Sequence, residues 1–124
     1  MYESRAPKTV ENFKRLFLGT ASYNNNPLSL LGSIFHQVFT NSFAASGKMP
    51  NGSMSIYGPK FRDENFDLLH TKPGLLSSVS NGNTNSSEWV LTLAPCPYFD
   101  HRHVVFGEVI EGFPILRYIE SIGS

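Results

Sequence analysis

The chain has 124 residues, ten basic and ten acidic side chains, and one cysteine. That length suits one domain with one core, and the balanced charge gives nucleic acid or an anionic membrane surface little to hold. The lone Cys96 excludes an internal disulfide and fits a reducing, cytoplasmic compartment.

In chain order, the first predicted element is a helix from Pro7 to Leu18. Val10, Phe13 and Phe17 recur at helical spacing, proline suits the first turn, and Gly19 suits the stop. Thr20 to Gly32 is predicted to be loop, because Asn24-Asn25-Asn26-Pro27 disfavours helix. Ser33 to Thr40 alternates and is predicted to be a strand, with Phe35, Gln37 and Phe39 on one face and Ile34, His36 and Val38 on the other. Ser42 to Ser55 is small and polar, turning at Pro50-Asn51-Gly52, and Ser55 to Gly58 reads as a short strand. Lys72-Pro73-Gly74 turns into a strand at Leu75 to Val79, and Asn81 to Asn85 is loop by composition. Trp89 to Leu93 is the next strand, ended by Pro95 and Pro97, and His103 to Glu111 is another. After Pro114, Ile115, Tyr118, Ile119 and Ile122 recur at helical spacing. Strands with one helix near each end argue an α+β or mainly β domain.

No apolar run reaches membrane-spanning length, and the opening residues do not form a signal peptide. Asn51-Gly52-Ser53 and Asn85-Ser86-Ser87 match the glycosylation sequon and read as chance loop sequences.

Several ordered segments carry a more specific signal. Pro7-Lys8-Thr9-Val10-Glu11-Asn12-Phe13 resembles the first helix of the cyclophilin-type prolyl isomerases, and Gly32-Ser33-Ile34-Phe35-His36 the strand leading into their active site. Ser55-Ile56-Tyr57-Gly58-Pro59-Lys60-Phe61-Arg62-Asp63-Glu64-Asn65-Phe66 and His103-Val104-Val105-Phe106-Gly107-Glu108-Val109 are similar to two further segments of that family. The resemblance implies a cyclophilin-like antiparallel β-barrel capped by two helices. It also implies that residues 1–124 are a single domain truncated at both ends. Tyr2-Glu3 resembles the tail of the family's second strand, and the first strands and the last strand are absent. The expectation is therefore an incomplete barrel with unpaired edges, either a fragment or one covered by a partner.

Rotation about a prolyl bond faces a barrier of about 18–20 kcal/mol. An isomerase lowers it with a fixed cation donating to the proline nitrogen and a dry apolar cup around the ring. In the family the cation is an arginine directly after the Phe-His pair; here that position is Gln37. A neutral amide lacks the charge and the rigid fork of donors, a loss of roughly 2–4 kcal/mol in a desolvated site. Other pocket positions differ too. The resemblance places Ser42, Phe43 and Ala45 where the family has Phe-Met and then Gln, and Val79-Ser80 where it has Ala-Asn. Glu88-Trp89-Val90 stands for Gln-Phe-Phe, and Tyr98-Phe99 begins where the family has tryptophan. Glu88 is expected near Gln37. Only His103 keeps its family identity among the pocket residues.

The degenerate catalytic positions are therefore Gln37 and His103. The expected substrate-binding residues are Phe43, Ala45, Val79, Ser80, Glu88, Val90, Tyr98, Phe99 and His103. Phe35, Phe61, Phe66, Phe106 and Trp89 read as core. His101 and His103 could share a strand face, but two ligands do not make a zinc site, so no metal and no cofactor is expected. His36 reads as a hydrogen-bonded structural residue, His70 as a loop residue, and Asp63-Glu64-Asn65 as a turn-stabilising segment. The functional expectation is an inactive or strongly impaired cyclophilin-like domain, a pseudoenzyme that binds protein, with a low-activity prolyl isomerase as the alternative. Its partner would be a protein, one offering a proline-containing segment. Divergent members of the family sit in larger assemblies, including cytoskeletal or ciliary ones, where such a domain acts as a scaffold component. No nucleic acid or membrane partner is expected.

Overall fold

The N-terminal helix α1 (Pro7–Leu18) forms where proline and the apolar spacing predict it. Its inner face buries Val10, Phe13 and Leu16, and Phe13 stacks on Phe106 with ring centroids 4.3 Å apart. Gly19 ends it in the left-handed conformation, φ 72°, and returns its N–H to the last turn. Ala6 supplies no side-chain cap. Glu64 supplies one instead, from far along the chain. Its carboxylate accepts the Lys8 N–H at 3.0 Å and the Thr9 N–H and hydroxyl at 2.9 Å each. A carboxylate there also meets the positive end of the helix dipole. Asn65 donates to the Arg5 carbonyl at 2.6 Å, so residues 63–65 have the structural role expected of them.

The computed structural model describes residues 2, 4–19, 21–23, 26–30, 34–49 and 53–121. The elements after α1 are β1 (Ala21–Tyr23), β2 (Asn26–Leu28), β3 (Gln37–Val38), β4 (Phe43–Ser46), β5 (Leu75–Ser80), β6 (Asn85–Thr92), a 3₁₀ turn (Pro97–Phe99), β7 (Val104–Glu108) and α2 (Phe113–Ser121). Strands β3 to β7 make one antiparallel five-stranded sheet in the order β3-β4-β6-β5-β7, and β1 pairs with β2. Among the described residues the sheet is open, with β3 and β7 at its edges; the Tyr2 N–H reaches the Phe106 carbonyl of β7 at 2.9 Å.

Strand alternation sorts the side chains. Val38 lies opposite Ala44, Ala44 opposite Leu91, and Leu91 opposite Leu76. This row joins a core of Ala44, Leu91 and Leu93, with Phe35, Trp89 and Ile119 packed on it. A second core gathers Val10, Phe13, Leu16, Leu28, Val104 and Phe106 beneath α1. Trp89 bridges the two cores and meets Phe17 and Phe35 edge-on at 5.5 and 5.7 Å, a core residue as expected.

Several local expectations need correction. The segment predicted as loop from Thr20 to Gly32 contains the β1–β2 pair. Among the described residues of the strand predicted over Ser33 to Thr40, only Gln37–Val38 is regular. The polar stretch after Ser42 forms β4, because Phe43, Ala44 and Ala45 supply the alternation that β6 needs. Ser55 to Gly58 is a turn closed by a single bridge, not a strand, since the Ser55 hydroxyl and N–H both bond to the Gly58 carbonyl. Strand β6 begins at Asn85, earlier than predicted, because buried Asn85 is held by Ser78, Phe61 and Asp63. Strand β7 ends at Glu108, so the predicted extension to Glu111 fails. In α2, Ile115 and Tyr118 are each 66% exposed while Ile119 packs inward. Residues 50–52 and Ile122 lie outside the described residues.

Candidate functional site

One face of the sheet carries the positions singled out from the sequence. Gln37 lies opposite Ala45, Ala45 opposite Val90, and Val90 opposite Ser77. Phe43, two residues before Ala45, shares that face and pairs with Thr92. Gln37 is exposed, whereas Ala45 and Val90 are only 6% and 3% exposed. Those two residues are therefore a floor under the face, not wetted walls.

Backbone contact fixes where this face ends. Gly47 follows β4 with φ 94°, and a Cβ there would lie 2.2 Å from the Ser87 carbonyl oxygen and 2.8 Å from the Glu88 Cα. Only glycine lets β4 pass this close to β6. The Ser87 hydroxyl donates to the Gly47 carbonyl at 2.6 Å. Glu88 is half-buried here, and its charge opposes the fall in the pKa of His36. Burial first and Lys48 second hold that imidazole below 6.5. The His36 N–H donates to the Ala45 carbonyl at 3.0 Å, while its buried Nδ1 has no partner among the described residues.

Beside the row stands an aromatic cluster centred on Phe99. Its ring meets Phe43 at 5.0 Å, Tyr98 at 4.7 Å, His103 at 4.8 Å and His70 at 5.6 Å, all edge-on. Phe39 extends the cluster, 5.1 Å from Phe43 and 41% exposed, and Tyr98 is 53% exposed. Edge-to-face rings of this kind make a rigid platform. The loop carrying Tyr98 and Phe99 is tied down by several bonds. The Tyr98 and Ser42 hydroxyls bond to each other, and the Cys96 N–H donates to the His70 carbonyl at 2.9 Å. Cys96 is fully buried, and burial pushes its thiol pKa up.

His70 is the residue the sequence concealed. It was expected in a loop, yet it is 1% exposed and bonded at both ring nitrogens. Nδ1 is 2.9 Å from Asp100 Oδ1, and Nε2 is 2.8 Å from Ser77 Oγ. Asp100 Oδ1 also accepts the His70 N–H at 2.6 Å. The carboxylate accepts a hydrogen bond from Nδ1–H, so Nε2 accepts from the serine hydroxyl. A serine, histidine and aspartate in this order resemble a hydrolytic relay. Ser77 is 0% exposed, however, so no acyl group reaches its hydroxyl. The relay instead anchors Asp100, the neighbour of Phe99, to the sheet. No local sequence signal marks it, because its members come from three separate segments.

His103 borders the cluster on its other side. Its Nδ1 accepts the Ser80 N–H at 3.0 Å, which leaves the proton on Nε2. Burial, then the charges of His70 and Arg102, lower its pKa, while Asp63 opposes them, so the imidazole is neutral near pH 7. Ser80 is 9% exposed and Val79 half-buried, at an irregularity where the β5–β6 register shifts. His101 does not share a strand face with His103. It sits in a turn with φ 62° and meets Phe66 edge-on at 6.5 Å. The face thus brings together Gln37, Phe43, Ala45 and Val90 in the sheet, with Tyr98, Phe99 and His103 beside them. Ser80 joins through His103, and Glu88 lies at the Gly47 end.

A five-stranded antiparallel sheet with two helices, carrying this face, defines a cyclophilin-type domain. The chain belongs to that family: residues 1–124 match the family described as "Cyclophilin type peptidyl-prolyl cis-trans isomerase/CLD". It is 42% identical over 127 residues to peptidyl-prolyl cis-trans isomerase D of Saccharomyces cerevisiae, covering 98% of this chain and 55% of the yeast protein. It is 41% identical over 127 residues to peptidyl-prolyl cis-trans isomerase H of Mycosarcoma maydis, covering 98% of this chain and 81% of that protein. A third relative, from Bos taurus, is named "Probable inactive peptidyl-prolyl cis-trans isomerase-like 6". It is 41% identical over 130 residues, covering 98% of this chain and 42% of its own length. The chain thus spans about half the length of the yeast and bovine relatives.

Proposed function

We propose that this domain binds proline-containing protein segments and isomerises them weakly or not at all, acting as a binding component of a larger assembly. The carrying observation is the row Gln37–Ala45–Val90. The position that the family gives to its arginine holds a neutral, exposed amide, and its neighbours are small and buried. The arginine beside His103 in the chain, Arg102, lines a separate cavity with Asp63 and Ser80, in which Gln37, Phe43 and Val90 take no part. Arg102 therefore does not stand in for the lost cation. The platform of Phe39, Phe43, Tyr98 and Phe99 supports continued binding, because a proline ring packs well on rigid aromatic edges. The bovine relative's name supports the same reading by analogy.

A low-activity isomerase is the second reading, favoured by His103, which keeps its family identity beside Phe99. A protease-coupled isomerisation assay on an Ala-Pro peptide, run beside the yeast relative, decides between them. The expected rate is lower by roughly a hundred- to a thousandfold, the scale of one lost charged donor. A rate equal to the relative's, abolished by His103→Ala, would overturn the proposal.

A further inference from the structure

The proline face ends in an unanswered charge. Glu88 stands two residues before Val90 in β6, so both side chains leave the same side of the sheet. Opposite Glu88, just past the end of β4, is Gly47, which has no side chain to set against it. Along the strands the face therefore runs from Phe43 and Thr92, through Ala45 and Val90, to Gly47 and Glu88. Glu88 is half-buried, yet its carboxylate makes no hydrogen bond or ion pair among the described residues. Lys48 and Glu88 act on His36 in opposite directions, but they form no ion pair with each other. Every other half-buried acid among the described residues is engaged. Glu11 pairs with Arg15, Asp63 accepts from Asn85, Glu64 caps α1, Asp100 holds His70 and Glu108 pairs with Lys72.

The charge selects the ligand. Gln37, Phe43, Ala45, Val90, Tyr98 and Phe99 are uncharged, and His103 is neutral near pH 7. Glu88 is thus the one formal charge among the positions of this face. A half-buried carboxylate has given up part of its water and attracts a cation more strongly than one in bulk solvent does. A lysine or arginine arriving beside it is drawn in, and an aspartate or glutamate is repelled. Strand geometry says where such a residue falls. From Thr92, the partner of Phe43, back to Glu88 the strand runs about 13 Å. A segment laid along β6 with its proline against Phe43 covers that length in about four residues, and the long stem of a basic side chain shortens the count.

We propose that Glu88 selects a lysine or arginine placed roughly two to four residues from the docked proline. The inference rests on the proline-binding reading, and its test separates the two. Fluorescence polarisation compares proline peptides carrying Lys, Glu or Ala at successive positions on either side of the proline, beside the same set with alanine in place of proline. Lysine at one position should bind about fivefold tighter than alanine, the scale of one partly desolvated ion pair, and glutamate more weakly. Added salt should narrow the gap. Glu88→Gln, similar in shape and neutral, should remove the preference, and Glu88→Lys should turn it towards glutamate. In the unaltered chain with ¹³C-labelled glutamate, the Glu88 carboxyl signal should move with the lysine peptide and stay still with the alanine one. Proline peptides that bind equally well whatever flanks them, or a lysine preference that survives Glu88→Gln, would overturn the role of Glu88 and leave the proline reading standing. A lysine preference that needs Glu88 but not proline would support Glu88 and remove the proline reading. Failure of every peptide to bind would overturn both.

Discussion

Gly47 shows how much one missing Cβ decides. With φ 94° and a carbonyl oxygen 2.2 Å from where a methyl group would sit, alanine has neither the conformation nor the room. Gly47→Ala is expected to destabilise the fold by about 3 kcal/mol or more, read as a lower urea midpoint, and to loosen the end of the face that carries Glu88. Gln37 is the opposite case, an exposed side chain whose replacement leaves the fold alone. Gln37→Arg should raise isomerase activity by about tenfold or less. The cation returns, but Ala45 and Val90, at 6% and 3% exposure, still give the ring no aromatic wall in that row. Full recovery in the coupled assay would show that the wall matters little. The substitution at Gln37 was legible in the sequence because it sits in a fixed register after Phe35-His36. The His70–Asp100–Ser77 relay was not, because burial of a histidine depends on segments that meet only in three dimensions. Phe39 was placed on the right face but not recognised as part of the aromatic platform, which forms only when β3 and β4 pair.

Helix α1 depends on a carboxylate that its own sequence does not contain. Glu64 accepts three hydrogen bonds from Lys8 and Thr9 at the helix start. Glu64→Ala should cost about 1–3 kcal/mol, since it leaves donors orphaned and removes the charge facing the dipole. Glu64→Gln should recover only part of this, and equal midpoints for all three proteins in urea would count against the cap. Among the elements, α1, β5 and α2 were readable from periodicity and from proline and glycine signals. Strand β4 was obscured because Ala44, Ala45 and Ser46 have weak strand propensity; their fit against β6, not their chemistry, makes them a strand. The β1–β2 pair was obscured for a similar reason, as a run of asparagines before proline reads as loop until the pairing is seen.

For the whole molecule, three histidines act in one direction. Burial is the leading cause that lowers the pKa of His36, His70 and His103 from 6.5. Below pH 6.5 the unfolded chain binds protons that the folded one refuses, so stability is full above that pH and falls as the medium becomes more acid. Asp100 adds to the loss only further down, because burial raises its pKa but its bonds to His70 hold it below 3.8. The urea midpoint should therefore be lower at pH 5.5 than at pH 7.5, and His70→Gln should flatten the difference; an unchanged midpoint would contradict the burial assigned to these rings. The fold was legible in the sequence as a whole because ordered segments from Pro7 to Val109 fall in the family's arrangement. The site was legible as a set of changed positions, but its floor and platform emerged only from the strand register. On the proposed reading, this face grips a prolyl segment and turns its peptide bond weakly or not at all. Exchange NMR on an Ala-Pro peptide mixed with the chain tests both halves in one sample. Peptide signals should shift with added protein while cis and trans forms remain in slow exchange, without cross-peaks on the timescale of seconds. Strong cis–trans cross-peaks at low protein concentration, lost in His103→Ala, would contradict it.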